Sequence, residues 1–317
     1  MMRAKVRADK PQVRGRKMGR HKGWTGMAGM GGRKVWLDYD QEALDRQYDQ
    51  RALVPHANDY MARHLEESRR VRDQLDCRLD VAYGPSNDEV LDIFPAADTN
   101  APVVVYVHGG AWTRWHKDHN SYQAPSFVSA GASFVSVNFA LVPQVSLDEL
   151  VRQNRAAVAW VHENARVFGA DPDKLYVAGH SSGGHVVGLF AVTDWATDWN
   201  LPSDVIKGGI AVSGMYDLQP ARLSSRNQYL HLDDGAVERN SALSQLPDQM
   251  PPLIVAYGGK EQIEFQRHSK DFAAELTRRG DDCQLIHYPD NNHFEMAQEF
   301  ANPGGPLMQA AFRMMGL

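Results

Sequence analysis

From residue 102 to residue 288 the chain alternates short β-branched runs with helical stretches, and few architectures accommodate that rhythm. The first run, PVVVYVH at 102–108, has no polar alternation, as expected of a central parallel strand buried on both faces. Further strand-like runs lie at 132–139, 175–179, 209–213, 253–257 and 284–288, with helical stretches at 121–130, 147–168, 183–193 and 266–279 between them. Residues Val151, Ala157, Val158, Val161, Ala165 and Phe168 fall at core spacing within the second helix. Strands alternating with helices at this rhythm predict an α/β fold with a mostly parallel, doubly wound central sheet flanked by helices. Ahead of it, 77–83 and 88–94 read as an antiparallel pair joined over the GPSN turn at 84–87. Residues 38–75 read as polar helix in two pieces divided at Pro55.

Chemistry in such sheets gathers at the carboxyl ends of the strands. After the 175–179 strand comes Gly179-His180-Ser181-Ser182-Gly183, a G-x-S-x-G set between an apolar strand and a small-residue helix. That context identifies a nucleophile elbow. Ser181 has Gly179 and Gly183 as flanks, whereas Ser182 has His180 two positions before it, so Ser181 is the expected nucleophile. The 102–108 strand runs into His108-Gly109-Gly110-Ala111-Trp112. Its glycines let backbone N–H groups approach a developing oxyanion, so the expected oxyanion hole is Gly109, Gly110 and the N–H of Ser182. His108 is expected to brace the loop.

The base should follow the serine in the chain. Five histidines do: His185, His231, His268, His287 and His293. His185 lies on the elbow helix, His268 within a helical run, His287 within a strand and His231 in a polar stretch with no strand before it. His293 alone sits in a loop directly after the last strand, and it is the expected base. The orienting acid belongs after the 253–257 strand, where Glu261 is the first carboxylate. Asp217, after the 209–213 strand, is the alternative, and Asp290, in the histidine's own loop, is a third. Trp112, Trp115 and Tyr216 stand at strand ends and could wall an aromatic pocket.

Composition narrows the class. Hydrophobic residues at 43% and charged residues at 23% of 317 exclude a wholly disordered chain. No run reaches the roughly 18 apolar residues of a membrane span. Two cysteines, Cys77 and Cys283, make no disulfide framework, and a cytoplasmic location is the expectation. The net charge of −5 conceals an arm: residues 1–34 hold eleven Lys or Arg against Asp9, leaving the rest with 23 basic and 38 acidic side chains. The arm lacks a base-stacking aromatic cluster and an apolar signal core, so it reads as a solvated extension and not as a nucleic-acid site. The expected organisation is a flexible arm at 1–34 and one α/β domain at 35–317, with 35–77 a helical, cap-like segment.

Several segments together resemble the arylformamidase (kynurenine formamidase) branch of the α/β-hydrolase superfamily, near the hormone-sensitive-lipase-like esterases. They are LDRQYDQR from Leu44, HGGAW from His108, GHSSGGH from Gly179, VSGMYDL from Val212, IEFQRHSKDFAAEL from Ile263 and NNHFE from Asn291. Ala111 departs from the pattern, which usually has an aromatic there. The resemblance implies the α/β-hydrolase fold and an acid at Glu261, as in the related N-acylanthranilate amide hydrolases. It further implies a serine hydrolase of small aryl amides, N-formyl or N-acyl anilines such as formylkynurenine or acylanthranilate. A carboxylesterase for small acyl or aryl esters is the alternative. A non-catalytic receptor on the same fold would require a broken triad. No metal or organic cofactor is expected. The expected partner is a small-molecule amide or ester, with no membrane and no nucleic acid, and a homodimer is an open possibility.

Overall fold

A computed structural model describes residues 32–317. The expectation of a flexible basic arm lies outside the described residues, except for its last three positions. The central sheet has eight strands: β1 (Arg78–Ala82), β2 (Val90–Phe94), β3 (Ala101–Val107), β4 (Ser133–Val137), β5 (Ala170–His180), β6 (Ile206–Val212), β7 (Leu253–Gly258) and β8 (Cys283–Tyr288). Their order is β1-β2-β4-β3-β5-β6-β7-β8. β2 pairs antiparallel with both β1 and β4, and every later pairing is parallel. This is the α/β-hydrolase fold.

Twelve α-helices complete it: α1 (Gln41–Gln47), α2 (Ala57–Gln74), α3 (Ala124–Ser129), α4 (Leu147–Asn164), α5 (Ser182–Ala191), α6 (Trp195–Trp199), α7 (Gln219–Leu223), α8 (Asn227–Leu230), α9 (Asp234–Arg239), α10 (Ile263–Arg279), α11 (His293–Gln298) and α12 (Pro306–Met315), counted among the described residues. Strand alternation splits the core into two layers. Val103, Val105 and Val107 of β3 lie in one layer with Leu150 and Val158 of α4, Val187 of α5 and Phe272 of α10. Val104 and Tyr106 lie in the opposite layer, with Phe127 of α3, Phe300 of the turn after α11 and Met308 of α12. Every residue of β3 is buried, because helices cover both of its faces.

The polar N-terminal segment is tied to the body by Leu44 and Tyr48 in the core and by specific bonds. Trp36 Nε1 donates to Glu264 Oε2 (3.2 Å), Tyr48 Oη meets His268 Nε2 (3.2 Å), and Tyr122 N donates to Ser68 Oγ on α2 (3.0 Å). Several elements carry no sequence expectation, among them α6 and α11, which begins at His293 where a loop is expected. The polar stretch around His231 folds into α7, α8 and α9, each too short for a 3.6-residue period to show. Residues 306–315 form α12, with Pro306 at its start and Leu307, Met308, Ala311 and Met315 buried. No helix among the described residues is long and apolar enough to cross a membrane.

Candidate active site

β5 ends at His180 and α5 begins at Ser182, which leaves Ser181 alone in the turn, at φ 59° and ψ −120°. A non-glycine residue in such a conformation costs about 1–3 kcal/mol and persists only where its surroundings impose it. Here they do. Ser181 N donates to Val212 O (2.8 Å), and Ser181 O accepts from His185 N (3.0 Å) in the first turn of α5. A Cβ on Gly183 would collide with Val107 O, and one on Gly179 would lie 2.5 Å from Gly183 O, so the turn closes only with glycine at both flanks.

The structure brings Ser181, His293 and Glu261 into one line. His293 opens α11, whose start is fixed by a capping box between Asn292 and Glu295. Its Nε2 lies 2.9 Å from Ser181 Oγ and its Nδ1 2.5 Å from Glu261 Oε1. The other oxygen of Glu261 accepts from Gly258 N (2.8 Å) and Ser213 Oγ (3.0 Å). Burial pushes the Glu261 carboxyl up to about 7, against the lowering pull of the Gly258 N–H. Burial, then the charge of Arg226, pushes His293 down to about 3, so its imidazole is neutral at neutral pH and its Nε2 can accept a proton.

The other carboxylates and histidines are engaged elsewhere. Asp217 Oδ1 accepts from Gln219 N (2.9 Å), and Asp290 is an exposed partner of Lys260 at 3.7 Å. His108 stacks on Phe139 with ring centres 4.3 Å apart, while its Nδ1 meets Gly109 O at 2.7 Å, so it braces the loop. His185 Nε2–H donates to Asn240 O (2.8 Å). His287 stacks on Tyr257, and His231 ends α8 in a left-handed conformation.

Gly109 lies beside the nucleophile: a Cβ built on it would sit 3.3 Å from Ser181 Cβ. Gly110, at φ +114°, has no room for a side chain, because the Arg114 carbonyl occupies that space. Ser182 is the first residue of α5, so its N–H has no acceptor within the helix. Gly109 and Ser182 thus border Ser181, and Gly110 follows Gly109 in the same loop.

The aromatic pocket needs correcting. Tyr216 is fully buried, stacked on Phe272 with centres 4.0 Å apart, and its hydroxyl turns to Ala211 O (3.4 Å). It packs the core, its ring lying against Phe272 of α10 and over Gly188 of α5, whose missing side chain leaves it room. Trp112 is buried too, donating from its backbone to Ser182 Oγ (3.3 Å) and from its indole to His185 Nδ1 (3.2 Å). Only Trp115 of the three borders the cavity beside Gly109 and His180, which has a volume of about 20 Å³. His64, Tyr122 and Phe294 line that cavity as well. Sequence reading missed them: His64 is a lone histidine on α2, which carries no motif, and Tyr122 and Phe294 come from separate segments that only the fold brings together. Among the described residues no three His, Cys, Asp or Glu side chains gather into a metal-binding set.

Comparison with known proteins identifies the family. Residues 91–276 match the BD-FAE family, a span that includes Ser181 and Glu261 and stops short of His293. Kynurenine formamidase of Salmo salar is 29% identical over 297 residues, covering 89% of this chain and 98% of the fish protein. Esterase LipQ of Mycobacterium tuberculosis is 30% identical over 225 residues, 63% of this chain and 53% of LipQ. Among solved structures, a protein of Silicibacter sp. TM1040 superposes with a TM-score of 0.73 at 25% identity, over 84% of this chain and 97% of that one. The chain belongs to the BD-FAE family, within the arylformamidase-like branch of the α/β-hydrolases, and is a hydrolase.

Proposed function

We propose that the protein is a serine hydrolase of small aryl amides, N-formyl or N-acyl anilines, working through an acyl-enzyme. The observation that carries this reading is His293, placed between Ser181 Oγ at 2.9 Å and Glu261 Oε1 at 2.5 Å. Neutral His293 takes the Ser181 proton on Nε2 as Oγ forms a bond to the substrate carbonyl carbon. Glu261 holds Nδ1–H and offsets the charge of the imidazolium. The N–H groups of Gly109, Gly110 and Ser182 stabilise the tetrahedral oxyanion. The C–N bond then breaks as His293 returns its proton to the leaving aniline nitrogen. A water deprotonated by His293 attacks the ester carbonyl, Oγ leaves with the proton, and the carboxylic acid departs.

The small cavity beside Gly109 and His180 favours a short acyl group. The similarity to kynurenine formamidase over nearly the whole chain supports an amide bond. The similarity to esterase LipQ supports the second reading, a carboxylesterase using the same residues on an easier bond. Two measurements test this. A fluorophosphonate should add its mass at Ser181 alone, and unmodified Ser181 would exclude the serine mechanism. The kcat/KM of a formanilide against the matched phenyl formate decides between the readings: turnover of the ester without measurable turnover of the amide selects the esterase.

A further inference from the structure

LDRQYDQR, residues 44–51, supplies no side chain to the Ser181–His293–Glu261 line, yet four successive residues of it bond the beginning of α10. Gln47 Oε1 accepts from Glu264 N (3.3 Å), and Tyr48 Oη meets His268 Nε2. Asp49 O accepts from Gln262 Nε2 (3.2 Å), and Gln50 Oε1 accepts from Gln262 N (3.2 Å). The first N–H groups of a helix have no partner within it and need one from outside. Gln262 precedes α10 without a side-chain cap of its own, so Gln50 and Gln47 perform that task from 212 and 217 positions away.

Glu261 is the residue immediately before Gln262. Its backbone is held from α10 as well, because Gln266 Nε2 donates to both Gly259 O and Glu261 O (3.0 Å each). The same helix carries Phe265, whose ring meets His293 edge-on with centres 5.0 Å apart and Tyr48 with centres 5.9 Å apart. A shift in the seat of α10 therefore moves the acid and the ring against the base together. Gln50 is 6% exposed, and its Nε2 is buried without a hydrogen-bond partner. Packing alone gives no reason to bury a donor that goes unmet, since that costs free energy; the accepting oxygen does.

We propose that Gln50, supported by Gln47, is a positioning residue for the hydrolytic reaction: it seats the start of α10 and so holds Glu261 against His293 Nδ1. The proposal rests on the reading of Glu261 as the orienting acid. An Nδ1–Oε1 separation of 2.5 Å leaves no slack, and a displacement of about 1 Å is enough to cost on the order of 10²-fold in rate.

Steady-state kinetics on the full chain test it with phenyl formate, a substrate under either reading of the bond. Gln50→Leu keeps the bulk and removes the acceptor; kcat should fall about tenfold with KM within about twofold of the parent. Gln50→Glu keeps an acceptor at the same reach and should restore most of kcat. Proton NMR reads the geometry without turnover: the downfield resonance of His293 Nδ1–H should move upfield in Gln50→Leu and hold its place in Gln50→Glu. Gln47→Leu, at a half-buried position, should lower kcat about threefold and stands in should circular dichroism show Gln50→Leu unfolded.

A folded Gln50→Leu, or a folded Gln47→Leu in its stead, with the parent's kcat overturns the proposal. An unmoved resonance beside a reduced kcat does too, since the loss would then lie outside the Glu261–His293 contact. So does a Gln50→Glu that falls as far as Gln50→Leu, which would assign the loss to packing. Failure of the hydrolase reading looks different: Ser181 of the parent then stays unlabelled by a fluorophosphonate, and phenyl formate is not turned over. A labelled Ser181 with kcat indifferent to Gln50 removes the positioning role alone.

Discussion

Trp112 and His185 meet edge to face, ring centres 5.3 Å apart, with the indole Nε1–H donating to His185 Nδ1 at 3.2 Å. His185 Nε2–H in turn donates to Asn240 O, which fixes the tautomer that leaves Nδ1 free to accept. Burial pushes this imidazole down to about 4, so it stays neutral and keeps that role across the neutral range. The contact joins the Gly109-Gly110 loop, which Trp112 terminates, to the elbow helix that His185 occupies one turn beyond Ser181. Two segments about 70 residues apart in sequence are thereby held in register beside Ser181.

Trp112→Phe removes the donor and leaves His185 Nδ1 buried and unpaired, which should destabilise the fold by about 1–3 kcal/mol. The loop should also loosen against Ser182, lowering kcat by about tenfold with a smaller change in KM. Urea unfolding and steady-state kinetics check the two effects. A destabilised variant with unchanged kcat would show that the contact holds the fold without positioning the loop.

Ser181→Ala should lower kcat by about 10⁴-fold or more, with far-ultraviolet circular dichroism unchanged. Ser182→Ala should retain most activity, because the proposed contribution of Ser182 is its backbone N–H. Its hydroxyl only accepts from Trp112 N. The reverse ranking of the two variants would move the nucleophile by one position.

The elbow was legible in the sequence because its flanking glycines answer to backbone collisions that any residue with a Cβ would suffer, as at Gly183 against Val107 O. His293 was legible by its place after the last strand, and the sheet by its β-branched runs. Tyr216 and Trp112 were misread because a strand end shows where an aromatic lies along the chain but not which way it turns. Tyr216 turns onto Phe272, 56 positions away, and nothing local announces that. The cavity residues His64 and Tyr122 come from separate segments and stack on each other at 4.3 Å, a long-range pairing with no trace in local pattern. Arg226 sits in a stretch of three short helices that periodicity cannot resolve.

Lys117 is 2% exposed and holds Asp92, which is wholly buried, at 2.7 Å, together with Asp80 at 2.7 Å and Asp118 at 3.2 Å. Asp92 Oδ2 already lacks a hydrogen-bond partner, so the ammonium is its main compensation. Lys117→Met should therefore cost about 3–5 kcal/mol, since it strands a buried carboxylate. Adding Asp92→Asn should recover part of that loss, as the uncompensated charge goes with it. Denaturant midpoints of the single and double variants check this, and a double variant no more stable than Lys117→Met would assign the loss to packing alone.

The buried Glu261 gives a signed prediction about pH. Its folded value is raised from 4.5 to about 7, so between those values the folded protein holds more protons at this carboxyl than the unfolded chain. The Glu261 contribution to stability is thus fully present below pH 4.5 and lost as pH rises toward 7. His293 has the opposite slope, since its folded value is lowered from 6.5 to about 3; without the carboxylate it can only fall further, so above pH 4.5 it is neutral in folded parent and variant alike and cancels in their difference. Glu261→Gln removes only the first contribution. The melting temperature of the variant minus that of the parent should therefore grow from pH 4.5 to pH 7 and level off above it. Over the same range the variant should lose about 10²–10⁴-fold in kcat, because a neutral amide neither holds the His293 tautomer nor offsets its charge. The parent's kcat/KM should climb with pH to a plateau as Glu261 ionises. Glu261→Asp, which keeps the charge and shortens the reach, should retain part of the activity. A melting-temperature difference that shrinks as pH rises would mean that the hydrogen bonds from Gly258 and Ser213 outweigh burial and that Glu261 stays ionised well below neutrality.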